Sequence, residues 1–325
     1  MNKLLLLTLL ALSYQTASAQ LVVENFGGGA NQFSMEFVTI GNPNNAADTT
    51  GSPNPAGSVA YIYNLAKHEV SRDMITKANA AGSLGITLAD LTFNGNNPAG
   101  NGINRPATAV SWYEAAKYVN YLNTSTGGTA AYKFDGSGAF QLWSSTDAGY
   151  NANNMFRNSL AKYVIASSNE WYKGAYGNLD GTWNNYATGS DSAPTAVSSG
   201  TAANTAVYGQ PNINGPADIT SAGGLSPWGT MGQTGNAPEW NETAYDGIND
   251  TAGETRDLRE GSWSESLGSS RLLASSRSSV TPETEYRATS LGFRVAAVGV
   301  PEPSALSLLA IGLSGLALVR RRKQS

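Results

Sequence analysis

Between Asn178 and Gly235 the chain is dominated by Gly, Asn, Ser, Thr, Pro and Ala, with almost no hydrophobic periodicity. A run of that length is abnormal for an inert connection; such loops are functional, disordered or held by a metal. The rest of the chain has to supply the frame, and 325 residues suffice to bury a sizeable core. Charged residues make up 14% of the sequence, well short of the roughly 25% usual for soluble domains, and Ser, Thr, Asn and Gly fill the deficit. There is no Cys and only one His. Disulfides, a thiol nucleophile, thiolate metal sites and iron–sulfur clusters are thereby excluded, as is any metal centre that needs two imidazoles.

Both ends carry sorting patterns that have to be set aside before the fold is read. Lys3 begins a basic n-region, Leu4 to Leu12 form an apolar h-region, and Ala17-Ser18-Ala19 is a small-x-small cleavage site. Residues 1–19 thus read as a secretory signal peptide, with the mature chain starting near Gln20. At the other end Val300-Pro301-Glu302-Pro303-Ser304 precedes an apolar run, Ala305 to Val319, closed by Arg320-Arg321-Arg322-Lys323. The positive-inside rule keeps that basic cluster cytoplasmic and turns the domain outward. As a helix the run covers only about 22 Å of a ~30 Å hydrocarbon core, a marginal span.

The order of Pro301, Glu302 and Pro303, a short apolar helix, and Arg320, Arg321 and Arg322 closely resembles the PEP-CTERM sorting signal of Gram-negative bacteria. The resemblance implies that residues 299–325 are a sorting tail with a short transmembrane helix. It also implies signal peptidase and an exosortase as processing partners, transient anchoring in the inner membrane through the tail, and delivery to the cell surface or extracellular matrix of an exopolysaccharide-making organism. Without the two ends, 15 of the 20 Lys and Arg and 23 of the 24 Asp and Glu remain, a net charge of −8. An acidic, sparsely charged surface argues against nucleic acid, whose phosphates need basic patches. It is compatible with calcium or neutral glycans, and equally with solubility alone.

No repeat of fixed period and no charged linker divides the body, so Gln20 to about Val298 reads as one domain. Met35 to Ile40 and Val59 to Val70 are rich in β-branched and aromatic residues and bounded by Gly, Asn and Pro, as strands are. Gly41 to Gly57 is a long polar loop, Ser71 opens a short helix, and Asn94 to Pro106 is a second irregular segment. Ser111-Trp112-Tyr113-Glu114 and Ser167-Ser168-Asn169-Glu170 are capping boxes. Behind the first, Trp112, Ala115, Ala116, Val119 and Leu122 recur at helical spacing. Behind the second come Trp171, Ala175 and a candidate left-handed C′ glycine, Gly177.

The final third holds the strings Gly235-Asn236-Ala237-Pro238-Glu239-Trp240, Arg259-Glu260-Gly261-Ser262-Trp263, Arg277 and Leu291-Gly292-Phe293-Arg294-Val295. With Pro106-Ala107-Thr108-Ala109-Val110-Ser111-Trp112 and Ser168-Asn169-Glu170-Trp171, their order and spacing resemble the formylglycine-generating enzyme family, or sulfatase-modifying factor domain, over roughly Glu36 to Ala297. The resemblance implies an α+β, C-type-lectin-like fold with modest secondary structure and long irregular loops, often tied by calcium.

The family's activity does not carry over with its fold. Its enzymes bind copper through two cysteines, at positions that fall here at about Glu265 and at Ser269 or Ser270. Carboxylates and hydroxyls do not replace soft Cu(I) thiolate ligation, so formylglycine-generating oxidase activity is rejected and no copper is expected. A second branch uses iron held by several histidines, which the lone His68 cannot supply, so no iron is expected. His68 stands in Lys67-His68-Glu69-Val70, where the family has a packed tyrosine, and a structural role is the expectation. The resemblance places a calcium site at Gly235, Ala237 and Glu239; Pro238 departs from the family's usual Trp and fixes φ there. The alternative is that Glu239 pairs with Arg294 or Arg277, with Trp240 and Trp263 as core.

No catalytic residue is assigned. The first functional reading is an exported, non-catalytic surface or matrix-associated protein, with a lectin-like domain whose loops bind extracellular polysaccharide or surface proteins, loop aromatics such as Tyr245 or Trp228 stacking on sugars. The alternative is an enzyme of the same fold working with carboxylates or hydroxyls, for example Glu260 and Glu265. Fold alone does not decide between them.

Overall fold

A computed structural model describes residues 20–283 and 291–299, so the signal segment and the sorting tail lie outside the described residues. Leu21–Phe26 (β1) pairs antiparallel with Phe33–Ile40 (β2), in which Phe33, Met35, Phe37, Val38 and Ile40 are buried. Of the stretch expected as a strand from Val59 to Val70, only Tyr63–Ala66 (β3) forms ladder pairs, with β2. Lys67 and the residues after it turn away because their side chains and carbonyls serve the centre of the molecule, described below.

Ser71 caps Arg72–Gly82 (α1) through its hydroxyl, and Ser111 caps Trp112–Ser125 (α2) with Glu114 reaching back, as the sequence predicts. The apolar stripe of α2 is fully buried: Trp112, Ala115, Ala116, Val119 and Leu122 are all at 0% exposure. After the two-residue pair Lys133–Phe134 (β4) and Phe140–Gln141 (β5) come Tyr163–Ile165 (β6) and Ser168–Tyr176 (α3), capped by Ser167 and Glu170. Gly177 is not in the left-handed region (φ −77°); it is glycine because a Cβ there would meet the Lys173 carbonyl oxygen at 2.7 Å.

The long polar stretch contributes only Thr195–Val197 (β7) and Thr205–Val207 (β8), a parallel pair. Then follow Glu239–Ala244 (β9), Arg256–Arg259 (β10), Ser278–Val280 (β11), Gly292–Phe293 (β12) and Val295–Ala297 (β13). Two main sheets result: an antiparallel one in the order β1-β2-β3-β13-β6, and a mixed one in the order β11-β10-β9-β12 with β12 parallel to β9. The first curls strongly, since its outer strands approach each other: Glu24 meets Lys162 at 2.8 Å and the rings of Phe26 and Tyr163 lie 4.9 Å apart.

The chain passes from one sheet to the other at Arg294, between β12 and β13. At the far end of β13, Ala297 pairs with Asn64, Asn64 with Thr39, and the Thr39 N–H donates to the Gln20 carbonyl, while the Val298 N–H donates to Lys162. Residues 20 and 298 therefore leave the domain at the same end.

Candidate functional site

The distinctive strings meet in one buried cluster around Arg294. Its guanidinium grips Glu239, Nε donating at 2.8 Å to Oε2 and Nη2 at 2.6 Å to Oε1, and its remaining donors go to the carbonyls of Ala66, Lys67 and Met231. Glu239 Oε2 also accepts from Trp171 Nε1 at 2.5 Å. Beside this pair Glu69 accepts from Asn236 Nδ2 at 2.7 Å and from the Ala237 N–H at 3.1 Å. Burial, followed by the negative charge of Glu239, pushes the Glu69 carboxyl up to about 8, so two acids and one guanidinium share the core with one acid largely protonated at neutral pH. The indoles tie the same centre to the backbone: Trp240 donates to Val110, Trp112 to Asn241 and Trp263 to Asn212.

Of the three calcium donors that the resemblance implies, the Glu239 carboxylate is already committed in this arrangement. Both oxygens of Glu239 are engaged by Arg294 and Trp171, and taking the carboxylate for a metal would strand a guanidinium at 0% exposure. The Ala237 N–H faces Glu69, and Gly235, at φ +96°, packs so closely on the Val207 carbonyl that a Cβ would lie 2.4 Å from it, contacts that leave the Gly235 and Ala237 carbonyls, the other two donors the resemblance implies, unengaged by either. Of the two sequence alternatives for Glu239, Arg294 is its partner; Arg277 instead meets Asp257 at 2.9 Å. Among the described residues no three His, Cys, Asp or Glu gather to hold a metal.

The positions that correspond to the family's copper cysteines form no constellation. Ser269 and Ser270 sit in a single 3-10 turn, Gly268–Leu272. Glu265 accepts from the Leu267 N–H, and Glu260 pairs with Arg271 and accepts from Ser276. His68 is half-buried beside Glu36, 3.5 Å away, and desolvation, then the Lys67 and Arg294 charges, lower it to about 4, leaving it neutral. Trp228, read from the sequence as a loop aromatic for stacking, is 1% exposed and belongs to the core. Tyr245 is exposed, with the Arg277 guanidinium 4.0 Å from its ring centre.

What the two irregular segments build together is a cleft of about 400 Å³, lined by Asn96, Asn97 and Arg105 from one and Ser198, Ser199 and Asp218 from the other, among others. Arg105 Nη1 donates to the carbonyls of Asn214 and Pro216, Asn97 Nδ2 donates to Asn214, and Arg105 Nε lies 4.0 Å from Asp218. The wall is fixed to the core by Asn236, whose Oδ1 accepts from the Ala217 N–H at 2.8 Å while its amide reaches Glu69. A buried residue of the Gly-Asn-Ala-Pro-Glu-Trp string thus orients a surface cleft. The lining offers amides and hydroxyls, one guanidinium and one carboxylate that offset each other, and the half-exposed Ile213 as an apolar edge. No residue of this cleft stands out in the sequence; only the two segments do, through their Gly/Asn/Pro content.

An α+β frame of two main sheets and a few helices that carries long irregular loops, with its family strings turned inward and its cleft built from loops, is a scaffold of the sulfatase-modifying-factor type. The Sulfatase-modifying factor enzyme 1-like domain matches residues 44–298, and the chain belongs to that family. The PEP-CTERM protein-sorting motif matches residues 299–323, which marks the chain for surface or extracellular export by the exosortase route. Having no Cys, the chain cannot form the copper thiolates of formylglycine-generating oxidases. Solved structures similar to it include the Treponema denticola variable protein 1 (19% identity, 85% of this chain and 99% of that chain, TM-score 0.53) and CarF (17%, 81% and 98%, 0.56). PvdO from Pseudomonas aeruginosa aligns over 84% of this chain and 97% of its own at 16% identity, with a TM-score of 0.48. At these identities the likeness to the first two is one of fold. No curated protein matches the chain.

Proposed function

We propose that this is an exported, non-catalytic binding protein of the cell surface or extracellular matrix, whose C-type-lectin-like frame holds a neutral, hydroxyl-rich glycan chain in the loop-built cleft. The observation that carries this reading is the cleft itself: about 400 Å³, within the size range of small-ligand sites, and lined by amides and hydroxyls with no net charge. Amide and hydroxyl groups both donate and accept, as sugar hydroxyls require. The position of the cleft supports display. It lies beyond Val70 and Ala107, whose backbones are joined next to Phe293, while residues 20 and 298 leave from the opposite end of β3 and β13. A chain held by its tail would turn the cleft away from the membrane.

A glycan array with the domain from Gln20 to Val298, repeated with Asn97→Ala and Ser198→Ala, tests the reading. Saturable binding to neutral glycans, weakened roughly tenfold or more when a side chain that bonds the sugar is removed, is the expected outcome. Binding that survives both substitutions would move the site elsewhere, and binding to acidic glycans alone would contradict the neutral lining.

A further inference from the structure

Asp218, in the wall of the large cleft, is anchored on both sides and unbonded at its tip. The Ala217 N–H before it donates to Asn236 Oδ1 at 2.8 Å, and the Ile219 N–H after it donates to the Asn104 carbonyl at 2.8 Å. Its own carbonyl accepts from the Ser221 N–H at 2.8 Å and from the Ser221 hydroxyl at 3.3 Å. The carboxylate, 48% exposed, nevertheless accepts no hydrogen bond among the described residues; Arg105 Nε stands 4.0 Å from Oδ1, beyond hydrogen-bond reach. A loop Asp ordinarily turns an oxygen onto the backbone N–H two residues on, as Asp90, Asp135 and Asp180 do in this chain. Asp218 does not, and its two oxygens stay open to the cleft.

The guanidinium opposite is fixed as firmly. The Arg105 N–H donates to the Gly102 carbonyl at 3.0 Å, its carbonyl accepts from the Arg72 N–H at 2.9 Å, and Nη1 is spent on the carbonyls of Asn214 and Pro216. Nη2 has no hydrogen-bond partner among the described residues. Left to themselves, a guanidinium and a carboxylate close into a two-bond pair; here the two carbonyls hold Arg105 by Nη1 and keep that pair from forming. The cleft of about 400 Å³ thus keeps, side by side, two acceptors on one carboxylate and a donor edge on one guanidinium.

We propose, resting on the glycan reading, that Asp218 and Arg105 select the sugar: the carboxylate accepts from two adjacent hydroxyls of one ring, and the open edge of Arg105 donates to an oxygen of the same ring. A carboxylate presents two oxygens side by side, and on a sugar ring only neighbouring hydroxyls present two donors together. The amides and hydroxyls elsewhere in the lining bond one group at a time and do not register where a hydroxyl stands. The ligand class is therefore a neutral glycan with an unsubstituted pair of adjacent hydroxyls. Hexose chains linked through the fourth or sixth carbon keep such a pair on every unit, whereas interior units linked through the third carbon keep none.

The test runs the exported protein and its Asp218→Asn variant over one array of neutral glycans, each printed untreated and after periodate cleavage and borohydride reduction, which destroys adjacent hydroxyl pairs. The bound glycans are expected to carry such a pair and to be lost on treatment, and Asp218→Asn is expected to weaken them about tenfold or more. Its melting temperature is expected to stay unchanged, because the carboxylate has no hydrogen bond to lose. Unaltered affinity in Asp218→Asn overturns the inference and leaves the glycan reading standing, as does binding to a treated glucan linked through the third carbon, whose interior units survive the treatment. Weaker binding that comes with a lowered melting temperature makes Asp218 a structural residue and overturns it as well. Binding to no glycan on the array overturns both readings.

Discussion

At the scale of single residues, the centre of the molecule is an ionic cluster in a sequence otherwise poor in charge. Arg294 uses its whole guanidinium inside the protein, so Arg294→Met leaves Glu239 buried without its partner; a loss of about 3–5 kcal/mol is expected by denaturant unfolding. The same pairing predicts that calcium or chelator leaves the melting temperature unchanged; a saturable rise with calcium, abolished in Glu239→Gln, would show that Arg294 yields its carboxylate. Glu69 and Lys173 give opposite pH slopes. The native Glu69 carboxyl is raised from 4.5 to about 8, so between those values the folded state binds the extra proton and stability falls as pH rises. The native Lys173 amine is lowered from 10.5 to about 8, so over that upper window the unfolded state binds the extra proton and stability rises with pH. Difference curves of stability against pH for Glu69→Gln and Lys173→Met should each remove one of these slopes, and flat differences would mean that these groups titrate normally.

At the scale of elements, the capping boxes are the clearest case of local sequence dictating local structure. Ser111 with Glu114 and Ser167 with Glu170 satisfy the first N–H groups of α2 and α3 within four residues, which needs no tertiary partner. Ser111→Ala should cost about 1 kcal/mol. At the second box the tertiary structure adds a role that local pattern does not carry. Burial works against charge on Glu170, but Arg157, held between Glu170 and Glu242, outweighs it and keeps this carboxyl at about 2. Glu170→Gln should therefore cost more than the Ser111 substitution, because it breaks a buried ion pair as well as half a cap. The strand read from Val59 to Val70 shows the converse. Its aromatic and aliphatic residues run from Val59 to Ala66, yet ladder pairs form only over Tyr63–Ala66, and from Lys67 on the chain serves the centre, the Ala66 and Lys67 carbonyls taken by Arg294 and Glu69 by the 236–237 turn.

At the scale of the whole molecule, the two irregular segments flagged by composition become neighbours, and residues 20 and 298 leave the domain together at one end. Because the natural chain has no thiol, single cysteines report accessibility cleanly. In membrane-held precursor on spheroplasts, Ser198→Cys at the cleft should react with an impermeant maleimide several-fold faster than Lys162→Cys near the ends; equal rates would remove the outward display.

The sequence by itself determined the sorting patterns, the capped helices and the loss of thiolate chemistry, since each depends on residues adjacent in the chain or on a residue type that is absent altogether. The tertiary structure alone decided that Glu239 serves Arg294, that Trp228 is core, and that Asn97, Arg105 and Asp218 share a cleft. The partners in the cleft are more than a hundred residues apart, and polar loop residues carry no periodicity that would announce which others they face. The long polar run between Asn178 and Gly235 was legible as loop from its composition. Its conformation is set by the Asn236 amide and the carbonyls that Arg105 gathers, contacts that exist only once the frame has formed.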